Sequence, residues 1–421
     1  MAAALAQWNT TVTHDTDVCS TRSAAAAYLE QACFALAPPT RIGVELEWLT
    51  VLGPPGSTYG HRPRSGVLAA ALGDYAPRSI APDSPQHALP GGSGVTVEPG
   101  GQVELSSVPC DDVDRLCEHL HADTAMLTDM LATKGVRLVA RAADDRRRPE
   151  RILSAPRYRT MERAFAEIGP FGAVMMCNTA ATQISVDAGA DRAEVTARWR
   201  ALHDVGPALL AAFACSPSAC GVPPGHWASQ RMRAWFQLDP ARTRPPAPHG
   251  ADPITAYAHW ALAVPLLCVR PTTESTAEWD APDATFADWI AGALDDEIGR
   301  PPTRADLDYH LTTLFPPVRA TGHLEIRYLD AQPDNSWSTP LHTFEALLPT
   351  PESLAAATTL GAPLADAWDE AARSGLAEPQ LRTVAADLLD LAATTASNPA
   401  VAQELDAAAR RCRRGQAPHE S

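Results

Sequence analysis

Glutamate residues alternate with apolar residues in three short stretches of this 421-residue sequence. In "RIGVELEWLT", Glu45 and Glu47 alternate in this way, and "GQVELSS" and "GHLEIRYLD" repeat the pattern around Glu104 and Glu325. A period of two is typical of a strand that buries one face. Like charges one pleat apart repel each other, and glutamate is a weak strand former. The pattern is therefore not explained by the stability of a sheet alone.

If these strands share one sheet, their carboxylates form an oxygen-rich wall, to which Glu98 in "VEPGG" can contribute. Mg²⁺ and Mn²⁺ prefer oxygen ligands in octahedral geometry. The alternative is the solvent-facing polar side of an antiparallel sheet, which is common. The strand "TQISVD" alternates in the same way, with Gln183 on its polar face. The candidate metal ligands are Glu45, Glu47, Glu98, Glu104 and Glu325.

Arginine supplies nearly all of the positive charge. Of 34 lysine and arginine residues only Lys134 is a lysine, and its context "ATKGV" fits neither a P-loop, nor a kinase, nor a pyridoxal enzyme. Arginine binds carboxylate and phosphate oxygens in bidentate fashion and stabilises charge that moves during phosphoryl transfer. The alternative for each arginine is a surface salt bridge. The candidates are Arg327, beside Glu325, and Arg157, Arg159, Arg231, Arg233 and Arg319.

Other groups that could do chemistry are less persuasive. We interpret His310 and His323 as packed, neutral side chains. The cysteines in "CNT" and "SPSAC" have no base at a readable spacing, so a thiol nucleophile is not indicated. The glycine-rich "PGGSGVTVEPGG" continues into a strand instead of a helix, which makes it a weak phosphate cradle.

Composition excludes several classes of partner. A formal charge of -16 argues against nucleic acid or an anionic membrane as the main partner, because both require a basic surface. The nine cysteines are scattered and form no C-x-x-C pair, which favours reduced thiols over disulfides or a zinc ribbon. No secretory signal or membrane-length apolar segment is visible. We therefore expect a cytoplasmic protein with small-molecule partners; the oligomeric state is not specified, and a monomer is plausible.

The elements that must position these residues follow an irregular order. "STRSAAAAYLEQACFALAP" predicts a helix capped by Ser20 or Thr21, and residues 191–214 predict one long helix. Residues 221–254 are rich in Gly and Pro and predict loops. The last alanine-rich helix is capped by Asn398. Strands interleaved irregularly with long helices indicate an α+β protein with a mostly antiparallel sheet.

Seven stretches in a fixed order resemble the glutamate–cysteine ligases of plants and actinobacteria, and are most similar to the actinobacterial branch that serves ergothioneine biosynthesis. They cover roughly residues 41–340 and read "GVELE", "EPGGQVELS", "RYRTM", "MMCNTAATQISVD", "SQRMRAW", "HLTTLFPPVR" and "LEIRYLD". The resemblance implies a glutamine-synthetase-like carboxylate–amine ligase fold, in which helices flank a curved, mostly antiparallel sheet. It also implies that ATP phosphorylates the γ-carboxylate of glutamate, and that the amine of cysteine then displaces phosphate.

The resemblance further implies roles for individual residues. Glu45, Glu47, Glu104, Glu325 and Glu98 would bind Mg²⁺ or Mn²⁺. Arg327, Arg319 and Glu325 would bind ATP. The substrates would contact Arg157, Arg231, Arg233, Trp235 and Gln183, and catalysis would rest on Arg327, Arg231 and Arg157.

Two alternatives remain open at this point. Where plant relatives have aromatic residues, this chain reads "VPLLCVR", so the pocket for the amine is expected to differ and the enzyme could ligate glutamate to another amine. A non-catalytic metal- or ligand-binding protein would also use an acidic wall.

For domain organisation we predict an N-terminal helical segment (1–40), a catalytic ligase domain (41–349) and a C-terminal helical region (350–421) packed on the same domain.

Overall fold

The central element of the computed structural model is a seven-stranded sheet formed by the described residues, which are 17–54, 60–244, 252–271, 279–334 and 336–418. Residues 1–16 of the predicted N-terminal segment (1–40) lie outside them. The strand order is β2-β3-β1-β5-β7-β6, with β4 paired to the end of β1. Every pairing is antiparallel, which confirms that part of the prediction. The strands are β1 (Ile42–Leu52), β2 (Gly94–Val97), β3 (Val103–Ser106), β4 (Val136–Val139), β5 (Ala181–Val186), β6 (Val318–Ala320) and β7 (Leu324–Asp330).

Helices flank this sheet. In chain order they are α1 (Arg22–Cys33), α2 (Ser65–Leu72), α3 (Val113–Ala132), α4 (Pro156–Ile168), α5 (Phe171–Cys177), α6 (Arg192–Asp204), α7 (Gly206–Phe213), α8 (Gln230–Leu238), α9 (Pro240–Thr243), α10 (Pro253–Ala263), α11 (Phe286–Ile290), α12 (Asp295–Ile298), α13 (Arg304–Leu311), α14 (Ser338–Leu347), α15 (Pro351–Gly361), α16 (Trp368–Ser374), α17 (Pro379–Thr395) and α18 (Pro399–Arg413). Short 3₁₀ turns occur at Gly73–Tyr75, Ala362–Leu364 and Gly375–Ala377. Within these described residues, no helix is sufficiently long and apolar to span a bilayer.

The strand register places the predicted polar residues on one face. Glu47 lies opposite Glu104, and Glu45 lies opposite Gln183. The alternate positions, which include Leu46 and Ile184, are buried in the core. The alternation read from the sequence is therefore confirmed as the division between a polar and an apolar face.

An irregularity in the pairing of β5 with β7 changes which residues share the polar face. Ile184 pairs with Ile326 but Thr182 pairs with Leu329, so two β7 residues lie opposite one β5 residue. Such a bulge shifts the alternation of the longer strand by one position. As a result Asp330 comes to lie on the same face as Glu325, although five positions separate them.

Two helix predictions need correction. The segment predicted as loop contains α8, which begins because the Ser229 hydroxyl accepts a hydrogen bond from Met232 N at 3.0 Å and caps the first turn. The predicted long helix at 191–214 is two helices that meet at Val205. Pro207 in the first turn of α7 has no N–H to donate, so the second helix starts anew. The caps Thr21 and Asn398 are confirmed.

The helices after residue 350 pack against the rest of the chain. Helices α17 and α18 contact each other along their lengths, and α17 also contacts α7 and α14. Buried residues such as Leu381, Leu388 and Leu405 belong to the same apolar core as the sheet. The three-part division of the chain stays a prediction.

We expect Gly100→Ala to destabilise the protein and reduce its activity. A Cβ at residue 100 would lie 2.2 Å from Cys177 O, a backbone atom that cannot rotate away, and the turn that carries Glu98 would have to shift. The expected loss is about 2 kcal/mol or more of unfolding free energy. Gly66→Ala in α2 is the control: its Cβ meets nothing within 4 Å, and helix propensity favours it by about 0.5–1 kcal/mol. Thermal unfolding of both variants measures the difference, and equal stabilities would contradict the close approach.

Candidate active site

The polar face of the sheet forms one wall of a cleft. The cleft brings together eight of the residues predicted from the sequence, which are Glu45, Glu47, Glu98, Glu104, Arg157, Gln183, Trp235 and Arg327. Its lining also includes Tyr158, Met161, Met175, Met176 and Phe315. The site therefore combines carboxylates, guanidinium groups and an apolar flank.

Glu47 and Glu104 are held by neutral donors. Glu47 accepts hydrogen bonds from Ala181 N and Gln183 Nε2, each at 2.8 Å. Glu104 is buried and accepts a hydrogen bond from the Thr96 hydroxyl at 2.7 Å. These contacts orient the two carboxylates, which face each other across β1 and β3, but add no positive charge to balance them.

Crowding of carboxylates shifts their protonation. Burial raises the pKa of Glu47 to about 8, with the carboxylates of Glu104 and Glu98 adding to the effect. Burial also raises the pKa of Glu45 well above its ordinary value, with the negative charges of Glu104 and Glu325 adding to it. The pKa of Glu98 is raised by burial and by Glu104. A bound cation would favour the ionised forms of these groups.

The residue types suit a hard divalent cation. Glu45 Oε2 is buried and has no hydrogen-bond partner among the described residues. In that same part of the chain, no three His, Cys, Asp or Glu groups converge at metal-ligand spacing, so the carboxylates surround the cleft without forming a closed cage. Mg²⁺ binds through few carboxylates and keeps several waters, which is compatible with such a wall. Glu45, Glu47, Glu98 and Glu104 are the residues that would hold it.

Glu325 is paired instead with two arginines. Arg319 Nε and Nη2 donate to its two oxygens at 2.8 and 3.0 Å, and Arg327 Nη1 also donates to it. Although burial acts to raise it, the two guanidinium groups hold the pKa of Glu325 at about 2. Neither Glu325 nor Arg319 lines the cleft. This pairing argues against the predicted role of Glu325 as a metal ligand and indicates that it orients Arg327.

Arg327 retains one donor for a ligand. Its Nε is buried without a hydrogen-bond partner among the described residues, and its guanidinium lies 5.9 Å from the centre of the Trp235 ring. Trp235 Nε1 donates to Phe315 O at 3.0 Å, which fixes the indole. Arg327 therefore presents a positioned N–H group at the edge of the acidic wall.

Arg231 supports this arrangement from behind. Its Nη2 donates to the backbone oxygen of Arg327 at 2.7 Å, and its guanidinium lies 5.0 Å from the Trp235 ring centre. Asp330 lies 3.9 Å from Arg231 Nη1 and accepts a hydrogen bond from Ser229 Oγ at 2.8 Å. Arg231 is buried and does not line the cleft, so the geometry favours a positioning role over the predicted contact with substrate.

Arg157 approaches from α4. Its Nη2 donates to Thr312 O at 3.0 Å and its guanidinium lies 5.2 Å from the Tyr309 ring centre. Its Nε is buried and has no hydrogen-bond partner within the described ranges. Arg157 and Arg327 thus both line the cleft, and each has a buried Nε without a partner among the described residues.

Arg233 is not brought to the cleft. Positions 231 and 233 are two apart on α8, so their side chains leave the helix in different directions. Arg233 Nη1 donates to Pro223 O at 2.7 Å, and its guanidinium lies 5.1 Å from the Trp227 ring centre. The sequence analysis predicted a loop at these positions, and a loop does not determine the direction of the Arg233 side chain. Arg159, another sequence candidate, does not line the cleft either.

Asp330 is a supporting residue behind the cleft that sequence reasoning missed. Besides its contacts with Arg231 and Ser229, it accepts hydrogen bonds from Ser216 Oγ at 2.7 Å and from Cys215 N at 2.9 Å. It ends the quoted stretch "LEIRYLD", but strict alternation assigns it to the apolar face. Only the bulge opposite β5 could have indicated its position.

The predicted packing of His310 is confirmed, because it lies buried with its Nε2 2.8 Å from Ala261 O and burial lowers its pKa to about 4.

The acidic cleft on an antiparallel sheet, faced by arginines, defines an enzyme of the ligase class. The family model "Glutamate-cysteine ligase family 2 (GCS2)" matches residues 41–421, and the chain belongs to this family. The match extends through the C-terminal helices, beyond the stretches that carry the resemblance in the sequence.

Known relatives agree with this assignment. The chain is 40% identical to glutamate–cysteine ligase EgtA of Mycobacterium tuberculosis (strain H37Rv) over 400 residues, 93% of this chain and 88% of the relative. It is 39% identical to EgtA of Mycolicibacterium smegmatis over 372 residues, 87% of this chain and 79% of the relative. The chloroplastic glutamate–cysteine ligase of Medicago truncatula is 30% identical over 247 residues, 58% of this chain and 48% of the relative.

A solved structure supports the fold. The crystal structure of a glutamate–cysteine ligase from Francisella tularensis in complex with AMP superposes with a TM-score of 0.52 at 12% sequence identity. The superposition covers 91% of this chain and 84% of that one. The predicted ligase fold is therefore confirmed.

We expect Arg327→Lys to lower kcat/KM about tenfold or more. A lysine cannot contact Glu325 through one nitrogen while presenting a second, fixed N–H to the cleft. Arg233→Lys is the matched control, because Arg233 points away from the cleft. Steady-state kinetics of both variants test this assignment: an Arg327→Lys enzyme within twofold of wild type, or an equal loss in Arg233→Lys, would contradict it.

We expect Glu47→Gln to stabilise the metal-free protein at high pH. Because the folded-state pKa of Glu47 is raised to about 8, its protonated form contributes stability at low pH that is lost as pH rises through that value. Between pH 5 and 9 in chelator, wild type should lose on the order of 4 kcal/mol more unfolding free energy than the variant, because about three pH units lie between pH 5 and the folded-state pKa. Added Mg²⁺ should reduce the difference in unfolding free energy between wild type and variant at high pH. The same pH dependence of unfolding free energy in both proteins would contradict the raised pKa of Glu47.

Proposed function

We propose that this ligase joins the γ-carboxylate of L-glutamate to the amino group of L-cysteine, with conversion of ATP to ADP and phosphate. The product would be γ-glutamylcysteine, and its destination ergothioneine biosynthesis, as the likeness to the EgtA enzymes suggests. Because ATP and reduced cysteine are required together, we place the reaction in the cytoplasm.

One observation carries the proposal. Four carboxylates, three on the neighbouring strands β1 and β3 and the fourth from Glu98 just after β2, line the same cleft as Arg157 and Arg327, whose Nε atoms have no partner among the described residues. A triphosphate and a carboxylate repel each other, so bringing them together requires positive charge from arginine and from a divalent cation. The carboxylates would hold that cation, which neutralises phosphate charge when bound.

The chemistry follows from the poor reactivity of a carboxylate. An oxygen of the γ-carboxylate attacks the terminal phosphorus of ATP, and the bond from that phosphorus to the bridging oxygen of ADP breaks. The amine of cysteine then attacks the carbonyl carbon, and phosphate leaves with the oxygen that came from glutamate. Arg327 and Arg157 are placed to hold phosphoryl or carboxylate oxygens during both steps.

The apolar flank of the cleft excludes water from this intermediate. The apolar side chains of Met161, Met175 and Phe315 also line the cleft. An acyl phosphate hydrolyses if water reaches it, so a dry flank favours transfer to the amine.

The proposed reaction predicts where an oxygen label goes. With glutamate labelled by ¹⁸O in the γ-carboxylate, each phosphate released should carry one label, and the nucleotide product should be ADP. Label in AMP, with release of pyrophosphate, would contradict the acyl-phosphate route. Omission of glutamate or cysteine should abolish product formation.

A panel of amines in place of cysteine tests the acceptor separately. We expect cysteine to give the highest kcat/KM. Preference for another amine would leave the ligase chemistry intact and change its acceptor, whereas no ATP turnover with glutamate and any amine would contradict the proposed function.

A further inference from the structure

A buried glutamine on the wall of the cleft has an unused acceptor. Gln102 is 2% exposed, lines the cleft, and follows the turn that carries Glu98. Its backbone oxygen accepts a hydrogen bond from Glu98 N at 2.9 Å, which fixes the main chain. Its side-chain oxygen, Oε1, is buried and has no hydrogen-bond partner within the described part of the chain.

The orientation of this amide is determined by its neighbours. Gln102 Nε2 donates to Thr179 O at 2.9 Å and to Met176 O at 3.4 Å. Rotating the amide by 180° would place its oxygen against two carbonyl oxygens and leave both without a donor. The Nε2 group must therefore face Thr179 and Met176, and Oε1 must face the other way.

A buried acceptor without a donor costs about 1–3 kcal/mol, so a ligand that supplies the donor is favoured. The carboxylate and phosphate groups of the substrates are ionised and cannot donate. The amino groups of glutamate and cysteine can donate, as can the ribose hydroxyls and adenine amino group of ATP. Glu98 and Glu104 line the cleft together with Gln102, and their carboxylates favour a positively charged ammonium group over these neutral donors. Arg157 and Arg327 supply the opposite charge for the acidic ends of the ligands.

We propose that the amide oxygen of Gln102 accepts a hydrogen bond from the amino group of an amino-acid substrate and so selects amino acids over the corresponding acids that lack this group. The inference rests on the proposed function. The amino group belongs either to glutamate, where it is a recognition element, or to cysteine, where it is the attacking group.

Gln102→Met tests this inference, because methionine keeps the length of the side chain and removes the acceptor. The readouts are KM for glutamate and for cysteine, together with the inhibition constants of glutarate and 3-mercaptopropionate, which lack the respective amino groups. We expect one amino-acid KM to rise about tenfold while the constant of its deaminated partner changes less than twofold. The pair that responds identifies the substrate.

Gln332→Met is the matched control. Gln332 is also buried, and its Nε2 also donates to two backbone oxygens, of Phe213 at 3.0 Å and Asp330 at 2.7 Å, but it does not line the cleft. Any general loss of stability should affect both variants. The selectivity for amino acid over deaminated analogue should change only in Gln102→Met.

The other outcomes overturn the inference. If the KM of an amino acid and the inhibition constant of its analogue rise together, Gln102 has only a structural role. If only the Mg²⁺ or ATP requirement changes, its oxygen serves the cation or the nucleotide. Unchanged KM values and inhibition constants in Gln102→Met would also reject the inference, but the proposed function would stand as long as the wild-type enzyme turns over. An inactive wild-type enzyme would reject the proposed function itself.

Discussion

The crowding of carboxylates on one face of a sheet is the constraint around which this structure is organised. Two unit charges 4 Å apart repel by about 1 kcal/mol in water and several times more in a partly buried site. Burying one apolar side chain contributes about 1.5–3 kcal/mol, so the row formed by Val44, Leu46 and its neighbours outweighs the repulsion and fixes which face the glutamates occupy. The cleft is thus stable as a fold but electrostatically unsatisfied, which is the condition under which cations and cationic groups bind well.

Two buried ion pairs hold the positive side of the site. Glu325 fixes Arg327 from one side, and Asp330 draws in Arg231, which donates to the backbone of Arg327 from the other. All of these groups are nearly inaccessible to water, so removing one partner would leave a buried charge uncompensated. Arginine suits this role because it stays protonated when buried, whereas a lysine would tend to lose its proton. The single lysine, Lys134, is exposed after α3, away from the site.

Alternation in the sequence was sufficient to predict the sheet and its polar face, because side-chain direction in a strand is a local property. Glu45, Glu47 and Glu104 were found in this way, and Glu98 was added from the neighbouring stretch "VEPGG". Features that depend on contacts between distant parts of the chain were not predicted. The bulge that turns Asp330 toward Arg231 depends on how β7 pairs with β5. The ion pair of Glu325 depends on Arg319, which lies on another strand. The helix containing Arg231 and Arg233 was hidden by surrounding Gly and Pro, and without it the two arginines looked equivalent.

The distribution of unsatisfied atoms suggests how the site divides its work. The carboxylates of β1 and β3 and the arginines of β7 and α4 line the same cleft, and Glu45 Oε2, Arg327 Nε and Arg157 Nε have no hydrogen-bond partner among the described residues. The positive charge of Arg327 acts on Glu45 and Glu47 but does not outweigh their burial and the repulsion from neighbouring carboxylates, and each arginine is also held in place by a backbone oxygen or by Glu325. A ligand that is positive at one end and negative at the other would satisfy both sets at once, and amino acids have this character. A site that leaves these donor and acceptor atoms without partners is less stable than a fully paired one, and the atoms remain available to bind substrate.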